Sequence, residues 1–86
     1  MRKITFTKDS YSDYLSWLET DRKIFIRLSN LIRETARTPQ EGIGNPEPLK
    51  HEMSGYWSRR INQEHRLVYS FTEDSIEIVS CKYHYK

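Results

Sequence analysis

Apolar residues in the first half of the chain follow two different rhythms. Ile4 and Phe6 alternate with polar neighbours, so residues 2–6 read as a short strand, and Thr7 behind them is suited to cap a helix. Tyr11, Tyr14, Leu15 and Leu18 then recur at i, i+3, i+4 and i+7, which predicts a helix that turns these four side chains to the core. After the turn Glu19-Thr20-Asp21, Asp21 offers the next cap. Ile24, Leu28, Leu31 and Thr35 form the inner stripe of a second helix, flanked by Phe25 and Ile32. So short a connection folds the two helices into a hairpin. The outer face of the second helix carries Arg22, Ile26, Arg33 and Arg37, with Lys23 and Arg27 nearer its sides. That face is either ordinary solvated surface or a contact for RNA or a ribosome.

The rhythm changes after residue 38. Pro39, Gly42, Gly44, Pro46 and Pro48 predict an exposed, irregular loop over 38–48. Beyond it the periodicity is that of strands: residues 56–61, residues 65–71 and residues 76–85, joined by the short polar connections 62–64 and 72–75. Short connections favour antiparallel pairing. The order β-α-α-β-β-β therefore defines an α+β domain, a small antiparallel or mixed sheet of about four strands with the helix hairpin on one face. Period-two alternation turns Leu67, Tyr69 and Phe71 toward the helices, and Arg66, Val68 and Ser70 to the open face. It groups Lys82 with His84, and Arg59 with Trp57 and Ile61, unless a bulge reverses the parity.

A chain of 86 residues has room for one modest core, so residues 1–86 are read as a single domain. Neither an apolar leader core nor a membrane-spanning run is present, which predicts a cytoplasmic protein away from membranes. The lone Cys81 excludes an intrachain disulfide, and its alternating apolar surroundings mark a core thiol. Net charge is only +2; residues 1–46 carry eight Lys/Arg against six Asp/Glu, and residues 47–86 carry six against six. Any anion-binding surface must come from local placement.

Several chemistries fall away on spacing. His51, His65 and His84 come with no second cysteine and no HExxH pattern, so no zinc site or other cofactor is expected. Gly42 and Gly44 precede no Gly-Lys-Ser/Thr, and no Gly-x-Ser-x-Gly elbow occurs. The remaining candidates are acids, bases and cations without a metal. Such a set suits RNA cleavage, since RNA carries its own 2'-hydroxyl nucleophile and only two protons must move. A carboxylate such as Glu47 can take one proton, an imidazole such as His84 can deliver the other, and arginine meets phosphate oxygens bidentately. Taken singly, each of these residues also reads as an ordinary loop, strand or terminal polar group.

The wording of the second half is more specific. Asn45-Pro46-Glu47-Pro48-Leu49-Lys50-His51, Met53-Ser54-Gly55, Trp57-Ser58-Arg59-Arg60-Ile61, Glu64-His65-Arg66-Leu67-Val68-Tyr69 and Tyr83-His84-Tyr85 occur together. On these motifs the chain, from Asp13-Tyr14 through Tyr85, resembles the YoeB toxins, members of the wider RelE-like group of bacterial type II toxin-antitoxin systems. The resemblance implies one RelE-like toxin domain that enters the ribosomal A site and cuts messenger RNA as a metal-independent endoribonuclease, inhibiting translation. It further implies silencing by a YefM-type antitoxin, and it is compatible with a homodimer.

By position, the resemblance makes Glu47 the general base, Arg66 the transition-state arginine and His84 the general acid. Lys50 and Arg59 become further phosphate contacts, and Tyr85 a group that orients or stacks on the substrate; Tyr83 is read as packing. The chain departs from the family pattern at Gly42-Ile43-Gly44-Asn45, where a lysine-bearing stretch is usual, and at Lys86, which extends past the terminal tyrosine. Two other readings remain: a noncatalytic ribosome- or RNA-binding module, which has little use for a carboxylate beside phosphate, and a gyrase-directed toxin on the same fold.

Overall fold

A computed structural model describes residues 1–83. Strand β1 (Lys3–Phe6) leads into helix α1 (Lys8–Thr20), where Thr7 Oγ1 accepts the Ser10 N–H at 3.1 Å. Helix α2 (Arg22–Arg37) follows at once, capped by the Asp21 carboxylate. Both caps are the residues expected from sequence, and each satisfies a backbone N–H that a helix start leaves unpaired. The inner stripe of α2 is also as expected: Leu28, Leu31, Ile32, Thr35 and Ala36 are buried.

Four strands come next: β2 (Glu47–Pro48), β3 (Trp57–Arg60), β4 (Arg66–Phe71) and β5 (Ser75–Ser80), with a 3-10 turn at His51–Met53. They form one mixed sheet in the order β1-β5-β4-β3-β2, in which β1 runs parallel to β5 and every other pairing is antiparallel. The α+β architecture stands, with five strands instead of about four. The extra strand is β2, the last two residues of the segment expected to be wholly irregular. Pro48 is tolerated there because β2 is an edge strand and a missing N–H can face outward.

The helix hairpin and the sheet enclose a core of Trp17, Leu28, Leu31, Ile32, Ala36, Ile61, Leu67, Tyr69, Ile76, Ile78 and Cys81. Leu67 and Tyr69 thus face the helices as their alternation requires, with Phe71 packed against the same cluster. Helix α1, by contrast, sits rotated from its expected setting. Tyr11, Leu15 and Leu18 are exposed and Tyr14 is half-buried, while Ser10 and Trp17 are buried. The rotation has a hydrogen-bonding cause. Ser10 Oγ donates to the Ile78 carbonyl at 2.6 Å, and the Trp17 indole donates to the Cys81 carbonyl at 3.0 Å. These two bonds, seven residues apart on one helix face, staple α1 to β5 and to the chain just beyond it.

Strand β5 ends at Ser80; residues 81–83 of the expected extension are not strand, and residues 84–85 lie outside the described residues. Val68 pairs with Ser80 but Tyr69 pairs with Ile78, so Val79 is an extra residue opposite the β4 pair. This bulge reverses the parity of the residues after it, and Cys81 rather than Ser80 enters the core. Burial and, secondarily, Asp13 push the Cys81 thiol up from 9.0 to about 12, against the smaller opposing effect of Lys82. The thiol should therefore resist iodoacetamide at pH 8 in the native protein and react readily in denaturant, as followed by mass spectrometry. Because the folded value lies above the unfolded one, the thiol's contribution to stability is complete below about pH 9 and lost as pH rises toward 12. The melting temperature of the wild type should fall more steeply over that interval than that of Cys81→Ala.

Candidate functional site

The segment that delivers Glu47 to the sheet is organised by Arg59. This residue is fully buried. Its Nη2 donates to the carbonyls of Thr38 and Glu41, its Nη1 to that of Ile43 at 3.1 Å, and its Nε to the Tyr69 hydroxyl at 3.3 Å. Tyr69 in turn donates to the Pro39 carbonyl at 2.5 Å. Burial raises the Tyr69 pKa, with Arg59 opposing the rise, so the phenol stays protonated and can donate and accept together. Gly44 completes the packing with φ +84, where an added Cβ would lie 2.9 Å from Leu31 Cδ2. Its carbonyl accepts the Arg60 N–H at 2.7 Å. The loop is irregular in dihedral angles but closely tied in place.

Arg59 is consequently not available to a phosphate, contrary to the expectation from sequence. Its guanidinium lies on the core side of β3, among backbone carbonyls. The neighbouring Arg60 is exposed and sits directly opposite Arg66 on β4. Residues directly opposite in an antiparallel pair share a face. Glu47 opposes Ser58, and Ser58 opposes Val68, so Glu47, Ser58, Arg60, Arg66 and Val68 all belong to the face away from the helices. With strands about 4.8 Å apart and about 3.4 Å of rise per residue, Glu47 lies about 8 Å from Arg60 and about 12 Å from Arg66 between Cα atoms. That spacing lets a carboxylate and two long cationic side chains approach one phosphodiester from different sides.

Glu47 is exposed, and its carboxylate accepts from Asn45 Nδ2 at 2.9 Å. Asn45 itself occupies the left-handed region at φ 53, a conformation asparagine tolerates better than most residues. Arg66 is half-buried, and its Nη1 donates to the carbonyls of Asn62 at 2.8 Å and His65 at 3.2 Å. Lys50 is exposed just before the 3-10 turn, three residues beyond Glu47. Among the described residues no group of three or more His, Cys, Asp or Glu side chains is placed to hold a metal ion. On α2, Arg22, Lys23, Ile26, Arg33 and Arg37 are exposed, whereas the Arg27 guanidinium donates to the carbonyls of Arg60 and Ile61 and ties the helix to the end of β3.

His84, Tyr85 and Lys86 lie outside the described residues. The chain leading to them is held by several contacts. Trp17 binds the Cys81 carbonyl; Lys82 Nζ donates to Ser16 Oγ at 3.1 Å and lies 5.0 Å from the centre of the Trp17 ring. The Tyr83 N–H donates to His65 Nδ1 at 2.7 Å, and the Tyr83 carbonyl accepts the Arg66 N–H at 3.1 Å. The Tyr83 side chain, expected to pack, is instead 60% exposed, with its ring 5.3 Å from that of His65.

Three residues that shape this region, Arg60, Asn45 and His65, do not stand out as site residues in the sequence. For Arg60 the strand parity holds the signal, since it alternates with Arg59. Asn45 and His65 lie inside the family motifs, but their roles depend on contacts that no spacing reveals.

Fold and site together define a small α+β domain that presents a carboxylate and paired arginines on the open face of its sheet. The profile of the YoeB-like toxins of bacterial type II toxin-antitoxin systems matches residues 6–85. The toxin YoeB of Escherichia coli K12 is 55% identical over 83 residues, covering 96% of this chain and 99% of that protein. The YoeB dimer from Staphylococcus aureus superposes with a TM-score of 0.90 at 45% identity, with 98% of each chain covered. The toxin chain of the YoeB-YefM complex from the same organism gives 0.88 at 43% identity, with 99% of each covered. The chain belongs to the YoeB-like toxin family.

The two adjacent arginines should respond very differently to substitution. Arg59→Leu strands the Thr38 and Ile43 carbonyls and leaves that of Glu41 with Thr38 Oγ1 alone, which should cost about 2–6 kcal/mol and lower the melting temperature by more than about 8 °C. Arg60→Ala removes an exposed side chain and should stay within about 0.5 kcal/mol, a change of less than about 4 °C. Thermal unfolding followed by circular dichroism separates the two cases.

Proposed function

We propose that this protein is a ribosome-dependent endoribonuclease that cleaves messenger RNA in the A site of the bacterial ribosome and so inhibits translation. The observation that carries this reading is the common face of Glu47, Arg60 and Arg66. A carboxylate beside two cations is poorly suited to passive phosphate binding, because it repels the anion. It suits a reaction in which a proton must leave the attacking group.

In this mechanism Glu47 removes the 2'-hydroxyl proton, and the 2'-oxygen attacks the adjacent phosphorus. The P–O5' bond breaks, and His84 protonates the departing 5'-oxygen. The products are a 2',3'-cyclic phosphate and a 5'-hydroxyl end. Arg66, assisted by Arg60 and Lys50, stabilises the negative charge that accumulates on the phosphate oxygens, often the largest single contribution to such a rate. Tyr85 orients the substrate or stacks on a base. No metal or cofactor enters the scheme, because RNA supplies the nucleophile and the side chains supply both proton transfers. The reaction takes place in the cytoplasm, where the substrate ribosomes are.

By similarity to the Staphylococcus aureus YoeB, solved both as a dimer and in complex with YefM, the free toxin forms a homodimer and is silenced by a YefM-type antitoxin.

On ribosomes programmed with a defined message, Glu47→Gln and His84→Gln should each slow single-turnover cleavage by at least about 10²-fold, the usual worth of one proton transfer. A message carrying a 2'-deoxynucleotide at the scissile position should not be cut. Undiminished cleavage by either variant, or cleavage of the deoxy message, overturns the mechanism.

A further inference from the structure

His65 is the one buried imidazole among the described residues, 6% exposed, and the cleavage mechanism gives it no part. Its surroundings specify which ring nitrogen accepts. A backbone N–H can only donate, so the 2.7 Å contact from the Tyr83 N–H requires a lone pair on His65 Nδ1. The ring hydrogen is therefore on Nε2, which faces the Glu64 carboxylate at 3.6 Å. The Trp17 ring packs edge-on against the imidazole with centroids 4.7 Å apart. The His65 backbone is fixed as well, its N–H donating to Asn62 Oδ1 at 2.7 Å. A rigid acceptor is thus aimed at one peptide group.

That peptide group is unusual. Tyr83 has φ 63, in the left-handed region that a bulky side chain rarely occupies. Such a conformation persists only when its surroundings over-determine it. Here the constraint is a pair of hydrogen bonds from consecutive residues at the start of β4: His65 Nδ1 takes the Tyr83 N–H, and the Arg66 N–H donates to the Tyr83 carbonyl. Residue 83 is thereby held on both sides, and His84 is the next residue in the chain.

We propose that His65 is a positioning residue for the C-terminal general acid: by accepting the Tyr83 N–H it holds residue 83, the residue before His84, in its left-handed turn beside Arg66. This rests on the assignment of His84 as the acid. His65 touches no substrate; its effect passes through one backbone hydrogen bond.

Asparagine places its side-chain oxygen near the position of Nδ1, glutamine places it nearer Nε2, and leucine fills the space without an acceptor. In amide hydrogen exchange by NMR, the Tyr83 N–H should be protected in the wild type and in His65→Asn, and should exchange about tenfold faster or more in His65→Leu and His65→Gln, the loss expected for one hydrogen bond of about 1.4 kcal/mol. In single-turnover cleavage at saturating ribosome, His65→Leu and His65→Gln should be slowed about tenfold or more, with the half-saturating ribosome concentration unchanged, since misplacement of a reacting group costs rate and not binding. His65→Asn should recover most of the lost rate.

A Tyr83 amide equally protected in His65→Leu, full cleavage by that variant, or His65→Asn no better than His65→Gln overturns the proposal. If His65→Leu fails to fold, the comparison of Asn with Gln decides alone. Should the wild type not cleave on the ribosome, the proposed function falls, whereas the exchange data still report whether His65 holds Tyr83.

Discussion

A buried guanidinium is the constraint on which much of this structure depends. Taking an arginine out of water costs several kcal/mol unless its N–H groups find acceptors. Arg59 finds them among the Thr38, Glu41 and Ile43 carbonyls and the Tyr69 hydroxyl, all neutral oxygens. The dependence is mutual. A segment with Pro39, Gly42, Gly44, Pro46 and Pro48 has few backbone hydrogen bonds of its own, and its inward carbonyls would be costly to bury unpaired. Arg59 gathers three of them at once. The loop then arrives at β3 in one register, and its last residues form β2 with Glu47 opposite Ser58. A side chain that was expected to handle phosphate instead determines where the carboxylate stands.

The same logic shapes the C-terminal approach. Trp17, Ser16, His65 and the Arg66 backbone each contribute one polar contact to residues 81–83, and none of these contacts is with a neighbouring strand in a regular ladder. The bulge at Val79 ends the ordinary pairing of β5, and side-chain partners take over. Helix α1 is set by this requirement more than by its own apolar stripe. Ser10 and Trp17 face inward to make hydrogen bonds, leaving Tyr11, Leu15 and Leu18 exposed.

These two cases mark how far the fold is legible in the sequence. Wherever burial alone decides orientation, periodicity suffices: the α2 stripe, the Thr7 and Asp21 caps, and the inward set Leu67, Tyr69 and Phe71 all lie where their spacing puts them. It fails where a polar bond overrides burial. Tyr11, Leu15 and Leu18 have better helical spacing than Ser10 and Trp17, yet the latter hold the carbonyls of Ile78 and Cys81. The site is legible in part for the same reason. Arg66 lies on the open face by simple alternation, but the roles of Arg59 and Arg60 differ by one residue, and only the register of β3 against β4 assigns them. Family wording points to Arg59, the one of the two arginines that the fold buries.

That register also carries a cost. Arg60 and Arg66 are directly opposite, and like charges so placed across an antiparallel pair destabilise it. Two features reduce the repulsion: Arg60 is exposed to solvent, and Arg66 Nη1 turns to the carbonyls of Asn62 and His65. Neither removes it. Stability alone would favour a neutral or acidic residue at one of the two positions, particularly in a half of the chain whose net charge is zero. Concentrating cations at one end of β3 and β4, with Glu47 held on the same face, creates a local field that favours an anion seated among them. The mismatch between the even charge of the segment and the uneven charge of its open face is where the fold gives up stability for a concentrated positive field.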